Sequence, residues 1–336
     1  MMSHGFWRFR AVFLFVLALG LAGAAGMAAS RPARRTIRVI VAANGSGDFR
    51  TVQEAIDHAP AEGRGRLIIA IRPGVYRERV KIPQSRPRVT LVGLGKKPGD
   101  TTITYNMSAK AAGGTFFSST VDVEGAGFEA SNLTIENSYG PGSQAVALAV
   151  QSDRAVLRNC RLIGWQDTLY AESGRQYYDR CFIRGAVDFI FGDARAVFDH
   201  CTIESTGRGY VTAEGRAVAN RPGGYVFYRS RLTAAAGVSR VYLGRPWRRY
   251  ARVIYLDCWM GGQILQAGWE NWHGTDYDKT AWFAEYHSTG PGAHPGERVP
   301  WAKKLTKEEA ARFLPRAFLA GKDGWDPLAV RTGLAH

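Results

Sequence analysis

A short pattern recurs six times between residues 132 and 260, and it restricts the fold more than any other feature. Five copies read polar, small or apolar, variable, apolar: Asn132-Leu133-Thr134-Ile135, Asn159-Cys160-Arg161-Leu162, Arg180-Cys181-Phe182-Ile183, His200-Cys201-Thr202-Ile203 and Asp257-Cys258-Trp259-Met260. In the sixth, Ser230-Arg231-Leu232, Ser230 takes the slot that cysteine usually fills. From Leu133 the spacings are 27, 21, 20, 29 and 28 residues. Repeats of this length, each too small to bury its own apolar face, stack into solenoids. The units are short β-branched or aromatic runs broken by Gly, Asn and Asp, as in Thr36-Ile37-Arg38-Val39-Ile40-Val41, Leu67-Ile68-Ile69-Ala70-Ile71 and Val89-Thr90-Leu91-Val92. That combination predicts an all-β parallel β-helix whose equivalent residues form ladders at the inter-strand spacing of ~4.8 Å.

Other features agree. Glycine makes up 39 of 336 residues, well above the usual share of ~7%, and without a collagen period these glycines read as turns. Length alone would allow two domains, but an elongated all-β chain of this size forms one. A solenoid needs its ends closed. Thr51-Val52-Gln53-Glu54 and Thr306-Lys307-Glu308-Glu309 both have capping-box form, so a short helix is expected at each end. The expected layout is one domain over 36–320 followed by a tail over 321–336.

Residues 1–30 carry no acid; Arg8 and Arg10 precede an apolar run from Ala11 to Ala22, followed by small residues around Ala24, Ala28 and Ala29. This is the order of a secretory leader, with cleavage expected between 24 and 30. As an uncleaved anchor the run falls short of the ~20 residues a span requires. Secretion, extracellular or periplasmic, is therefore expected, without stable membrane insertion after cleavage. The chain holds 44 Lys+Arg against 29 Asp+Glu; losing Arg8 and Arg10 would leave 42 against 29, or +13. Such an excess suits an acidic partner, and export argues against nucleic acid. The 7 histidines show no ligand spacing and the four cysteines form no CxxC pair, so no metal or cofactor is expected. Stacked Cys181 and Cys201 leave two outcomes open, a disulfide or a reduced buried ladder.

The same register pairs two carboxylates. Asp167 lies seven residues after Cys160, Asp188 seven after Cys181, and Gly164 and Gly185 match likewise. Adjacent coils would set the two aspartates ~5 Å apart, where both cannot ionise easily; one would stay protonated near neutrality. A nucleophile and an acid then stand side by side. The competing reading, two turn aspartates capping backbone groups, fits poorly with the apolar and aromatic residues around them.

At this point the chain resembles a known family. Gly164-Trp165-Gln166-Asp167-Thr168-Leu169-Tyr170 and Gly185-Ala186-Val187-Asp188-Phe189-Ile190-Phe191-Gly192 are similar to the two central motifs of pectin methylesterases, carbohydrate esterases on a right-handed parallel β-helix. Five further segments follow the family's order: Gly45-Ser46-Gly47-Asp48-Phe49 with Thr51-Val52-Gln53; Pro73-Gly74-Val75-Tyr76-Arg77-Glu78; Gln144-Ala145-Val146-Ala147-Leu148; Leu243-Gly244-Arg245-Pro246-Trp247; and Glu285-Tyr286 with Gly290-Pro291-Gly292. The resemblance spans roughly residues 36–315 and implies hydrolysis of C6 methyl esters of homogalacturonan in pectin. It implies Asp188 as nucleophile, Asp167 as acid and then base, Gln144 and Gln166 as oxyanion donors, and Arg245 as the cation that orients Asp188. Tyr170, Phe191 and Trp247 match groove aromatics, although Tyr170 and Phe191 also suit a core. Trp269 and Trp272 match family tryptophans and are expected in the core. Ala186 stands where the family often has Thr.

Arg248-Arg249 either touch polymer carboxylates or are solvated. The implied partner is methyl-esterified homogalacturonan, bound by a monomer. Two other readings stay open: another pectin-active solenoid enzyme, a galacturonan hydrolase or a lyase, and a non-catalytic polysaccharide-binding solenoid. The paired glutamines favour acyl chemistry over the former. Retention of Asp167, Asp188 and Arg245 together argues against the latter.

Overall fold

A computed structural model describes residues 36–60 and 65–329. The leader expected over 1–30 and the end of the expected tail, from 330, lie outside the described residues.

Each turn of the chain lays down three short strands. A representative coil runs Ala155–Arg158, Arg161–Ile163 and Leu169–Ala171, and the next runs Arg175–Asp179, Phe182–Gly185 and Ile190–Gly192. Corresponding strands pair in parallel, building a first sheet of eleven strands, a second of eight and a third of seven among the described residues. Parallel strands joined by crossovers take the right-handed path, so the coils form a right-handed parallel β-helix.

The repeat seen in the sequence is the corner between the first and second sheets. Its polar position is a left-handed residue in every copy: Asn132, Asn159, Arg180, His200, Arg229 and Asp257 have φ between 49° and 55°. One left-handed residue turns the strand sharply, and polar residues tolerate that region better than β-branched ones. The next position points inward, where Leu133, Cys160, Cys181, Cys201, Ser230 and Cys258 are all buried. The four cysteines are free. Cys160 Sγ faces Arg158 O at 3.4 Å, and the other three thiols face carbonyl oxygens of the coil before: Cys181 Sγ to Leu157 O at 3.6 Å, Cys201 Sγ to Tyr178 O at 3.4 Å and Cys258 Sγ to Phe227 O at 3.3 Å. Ser230 does the same with better geometry, donating to Phe198 O and accepting from Cys201 N, each at 3.0 Å. The reduced ladder is the outcome.

Side chains of one register stack through the interior. Tyr178, Phe198, Phe227 and Tyr255 lie face to face at centroid spacings of 4.8, 4.6 and 4.5 Å, the strand spacing itself. Each such pair adds about 0.5–1.5 kcal/mol beyond area burial.

Helices form at both expected caps. In Val52–His58 the Thr51 side chain accepts from Glu54 N, and Glu78, the acid of the Gly-Val-Tyr-Arg-Glu segment, accepts from Val52 N and Gln53 N at 2.9 Å each. Thr306 and Glu309 complete a reciprocal box before Lys307–Ala311. With Pro315–Leu319 this helix covers the outer face of the first sheet, where Leu305, Ala310, Phe318 and Leu319 pack on Val156, Tyr177, Val197 and Val226. The segment after residue 320 continues along that flank: Asp323 pairs with Arg175, and Pro327 O accepts from Arg158.

Candidate active site

The third sheet carries the chemistry on its outer side. Leu169 pairs with Ile190 and Tyr170 with Phe191, and Gln166 bridges Val187 just before them. Asp167 and Asp188 therefore occupy one register on successive coils, and Asp167 N donates to Val187 O. Both are left-handed, at φ 62° and 49°, which turns their side chains out of the stacked core. Gly185 makes room for this corner: a Cβ there would lie 2.3 Å from that of Phe189.

Arg245 reaches Asp188 from two coils further on. Phe191 pairs with Ala213, and Ala213 with Arg245. The guanidinium holds the carboxylate in a fork, Nε to Oδ1 at 3.0 Å and Nη2 to Oδ2 at 2.6 Å. Asp167 has no such partner: no side chain among the described residues hydrogen-bonds its carboxyl. Burial pushes both carboxyls up from the ordinary range. For Asp188 the Arg245 bonds pull it only part of the way back, so it stays raised; for Asp167 the charge of Asp188 pushes it well higher. One ionised and one protonated carboxyl is the stable arrangement.

A cavity of about 310 Å³ opens over the pair, lined by both aspartates, Gln144, Gln166, Arg245 and Trp247 among others. Neither glutamine amide is hydrogen-bonded to a described residue, so both are free to donate into the cavity. Phe191 and Ala213 form a small apolar cluster with Val146 and Ala149, with Tyr170, Trp247 and Trp272 packed on it. The cluster is separate from the solenoid interior. Tyr170 stacks on Phe191 at 4.7 Å, and Phe191 meets Trp247 edge-on at 6.0 Å. An ionised carboxylate, a protonated one and two unengaged amides around one void suit acyl transfer.

The Pectinesterase family profile matches residues 38–322. Pectinesterase 31 of Arabidopsis thaliana is 39% identical over 310 residues, covering 89% of this chain and 97% of that protein. A pectinesterase of Daucus carota is 40% identical, covering 85% and 94%. The chain belongs to the pectinesterase family. Among solved structures, the pectin methylesterase from carrot superposes with a TM-score of 0.81 at 38% identity, covering 85% of this chain and 94% of that one. Pectin methylesterase PemA from Erwinia chrysanthemi gives 0.75 at 28%, covering 87% and 98%.

In this pectinesterase all five polar residues singled out in the sequence, Gln144, Gln166, Asp167, Asp188 and Arg245, line one cavity. Phe191 and Trp247 line it too, and Tyr170 stands behind Phe191. Trp269 is core, as expected. Trp272 is not: it is half-buried and lines the cavity, with its ring 4.2 Å from the Arg245 guanidinium carbon. The loop after Trp269 leaves the sheet, which takes Trp272 out of any ladder. Thr115, Phe116 and His273 also line the void, and no repeat register reaches them. The one sequence signal was the paired Phe116-Phe117 in a Gly-, Ser- and Thr-rich stretch; both rings are exposed at 47% and 64%. No described helix is long and apolar enough to cross a membrane.

Proposed function

We propose that this chain hydrolyses the C6 methyl esters of homogalacturonan, releasing methanol and leaving galacturonate carboxylates, through an acyl-enzyme on Asp188. The observation that carries the reading is the asymmetric pair: Asp188 forked by Arg245, Asp167 without a cation, in one register over one cavity. An Asp188 oxygen attacks the ester carbonyl carbon. The amides of Gln144 and Gln166 donate to the oxyanion that forms, a contribution of about 3–4 kcal/mol for a single donor in comparable sites. The tetrahedral centre collapses by expelling methoxide, which takes the Asp167 proton and leaves as methanol. This leaves a mixed anhydride between Asp188 and the sugar carboxyl, with Asp167 now ionised. Asp167 then takes a proton from water as that water adds to the anhydride, and collapse returns Asp188 as a carboxylate. Trp247 supplies the apolar face against which a sugar ring packs, Phe191 borders it at the cavity wall, and Tyr170 supports Phe191 from behind.

The enzyme acts as a secreted monomer on a soluble or wall-bound polymer; the leader-like order of residues 1–30 supports export. Incubation with methyl-esterified homogalacturonan tests the chemistry. Methanol is expected, without new reducing or unsaturated ends, and Asp188→Asn is expected to abolish its release. Reducing ends without methanol would replace this reading with a glycosidase.

A further inference from the structure

Arg245 is held on three sides by groups that take no part in the chemistry proposed above. The Tyr210 ring lies 3.9 Å from its guanidinium carbon and the Trp272 ring 4.2 Å from it. His273 Nε2 stands 3.3 Å from Nη1, the one guanidinium nitrogen not bonded to Asp188. Arginine has only donors, so this contact is a hydrogen bond only when Nε2 carries a lone pair. Two further contacts fix the Tyr210 ring. Its hydroxyl donates to Glu270, and Tyr242 stacks on it at 5.3 Å with an interplanar angle of 12°. Trp272 is braced edge-on by His273 at 4.9 Å.

We propose that Tyr210, Trp272 and His273 form a cage that positions Arg245, and that this cage sets how readily Asp188 ionises as nucleophile. The reasoning rests on the role of Asp188 given above. A bidentate fork is strong only while both nitrogens point at both oxygens, and aromatic faces on either side hold the plane of the guanidinium. A looser Arg245 leaves the buried Asp188 carboxyl less compensated, so its proton affinity rises. The charged and titratable groups facing this cluster are Asp188 and Asp167 from the sheet corners, Tyr210 and Tyr242 from neighbouring strands, and Glu270 and His273 from the loop. Tyr210 belongs to this cage through its ring, not its hydroxyl.

The test compares Tyr210→Leu with Tyr210→Phe. Loss of a ring face is expected to move the acid limb of kcat/KM to higher pH, equivalent to about a three- to tenfold rise in Asp188 proton affinity. At a pH on that limb kcat falls by the same factor, while KM for short esterified oligomers changes less than twofold. Tyr210→Phe, which keeps the ring, is expected to recover most of the shift. Carboxyl-carbon NMR titration of Asp188 in the full chain reads the same change without substrate, which separates failure of the cage from failure of the esterase reading. His273→Ala, at an exposed position, provides a second variant if Tyr210→Leu does not fold; a smaller shift in the same direction is expected. An unmoved Asp188 midpoint in a folded Tyr210→Leu or His273→Ala variant would overturn the cage. A loss in Tyr210→Phe equal to that in Tyr210→Leu would also overturn it, because the ring would then be irrelevant.

Discussion

Asp167 shows what the site costs. A carboxyl whose proton is held more tightly in the folded than in the unfolded chain stabilises the fold at low pH. That stability is lost as pH rises from the unfolded value of ~3.9 through the raised folded value. At neutral pH Asp167 therefore destabilises the protein. Asp167→Asn is expected to lower turnover by about a thousandfold, the middle of the range for losing an acid–base group. It should also raise stability by about 1 kcal/mol, or about 2–4 °C in Tm. Parallel melts at pH 4 and pH 7 check the sign, since the gain should shrink at the lower pH. The juxtaposition of Asp167 with Asp188 was legible in the sequence because both follow a cysteine by seven residues. Trp272 and His273 were not, because they lie on a loop with no copy on another coil to align with.

At the scale of elements, one of the motifs caps a helix. The Gly-Val-Tyr-Arg-Glu segment is far from the cavity in sequence, and its acid has a local structural task. Glu78 satisfies the two orphan donors of Val52 and Gln53 at the start of a seven-residue helix, while Tyr76 donates to Arg72 O at 2.9 Å. Glu78→Ala is expected to cost about 1–2 kcal/mol, as for other lost N-terminal caps. Thermal unfolding measures the loss, and methanol release per folded molecule should not change. Capping signals in the sequence located both helices. They did not indicate that the second would lie along the first sheet, because a cap specifies where a helix starts and not which surface receives its apolar face.

For the whole molecule the relevant quantity is the excess of 44 basic over 29 acidic residues. De-esterification turns neutral esters into carboxylates, so the polymer becomes more anionic as the reaction proceeds. A cationic surface should hold such a product at low salt, and ions should screen that attraction once the Debye length falls to about 8–10 Å. KM on long, partly de-esterified pectin is expected to rise severalfold between 10 and 200 mM salt in line with that screening, while KM on short neutral oligomers stays nearly level. Equal salt responses for both substrates would reduce the charge to an aid to solubility.

By itself the sequence determined the coil. A spacing of 20–29 residues between equivalent corners can bury its apolar faces only by stacking, and stacking forces equal positions into ladders. The register of Cys160 with Cys181 therefore also placed Asp167 beside Asp188. What the register could not decide was whatever departs from it. The fork between Arg245 and Asp188 spans two coils and depends on side-chain reach. The four thiols are free, and three of them face a carbonyl of the coil before. The cavity walls at Phe116, Trp272 and His273 come from a single 3₁₀ turn and a loop that lie outside the three sheets. Periodicity fixes neighbours along a ladder, and only the tertiary structure brings together residues that share no period.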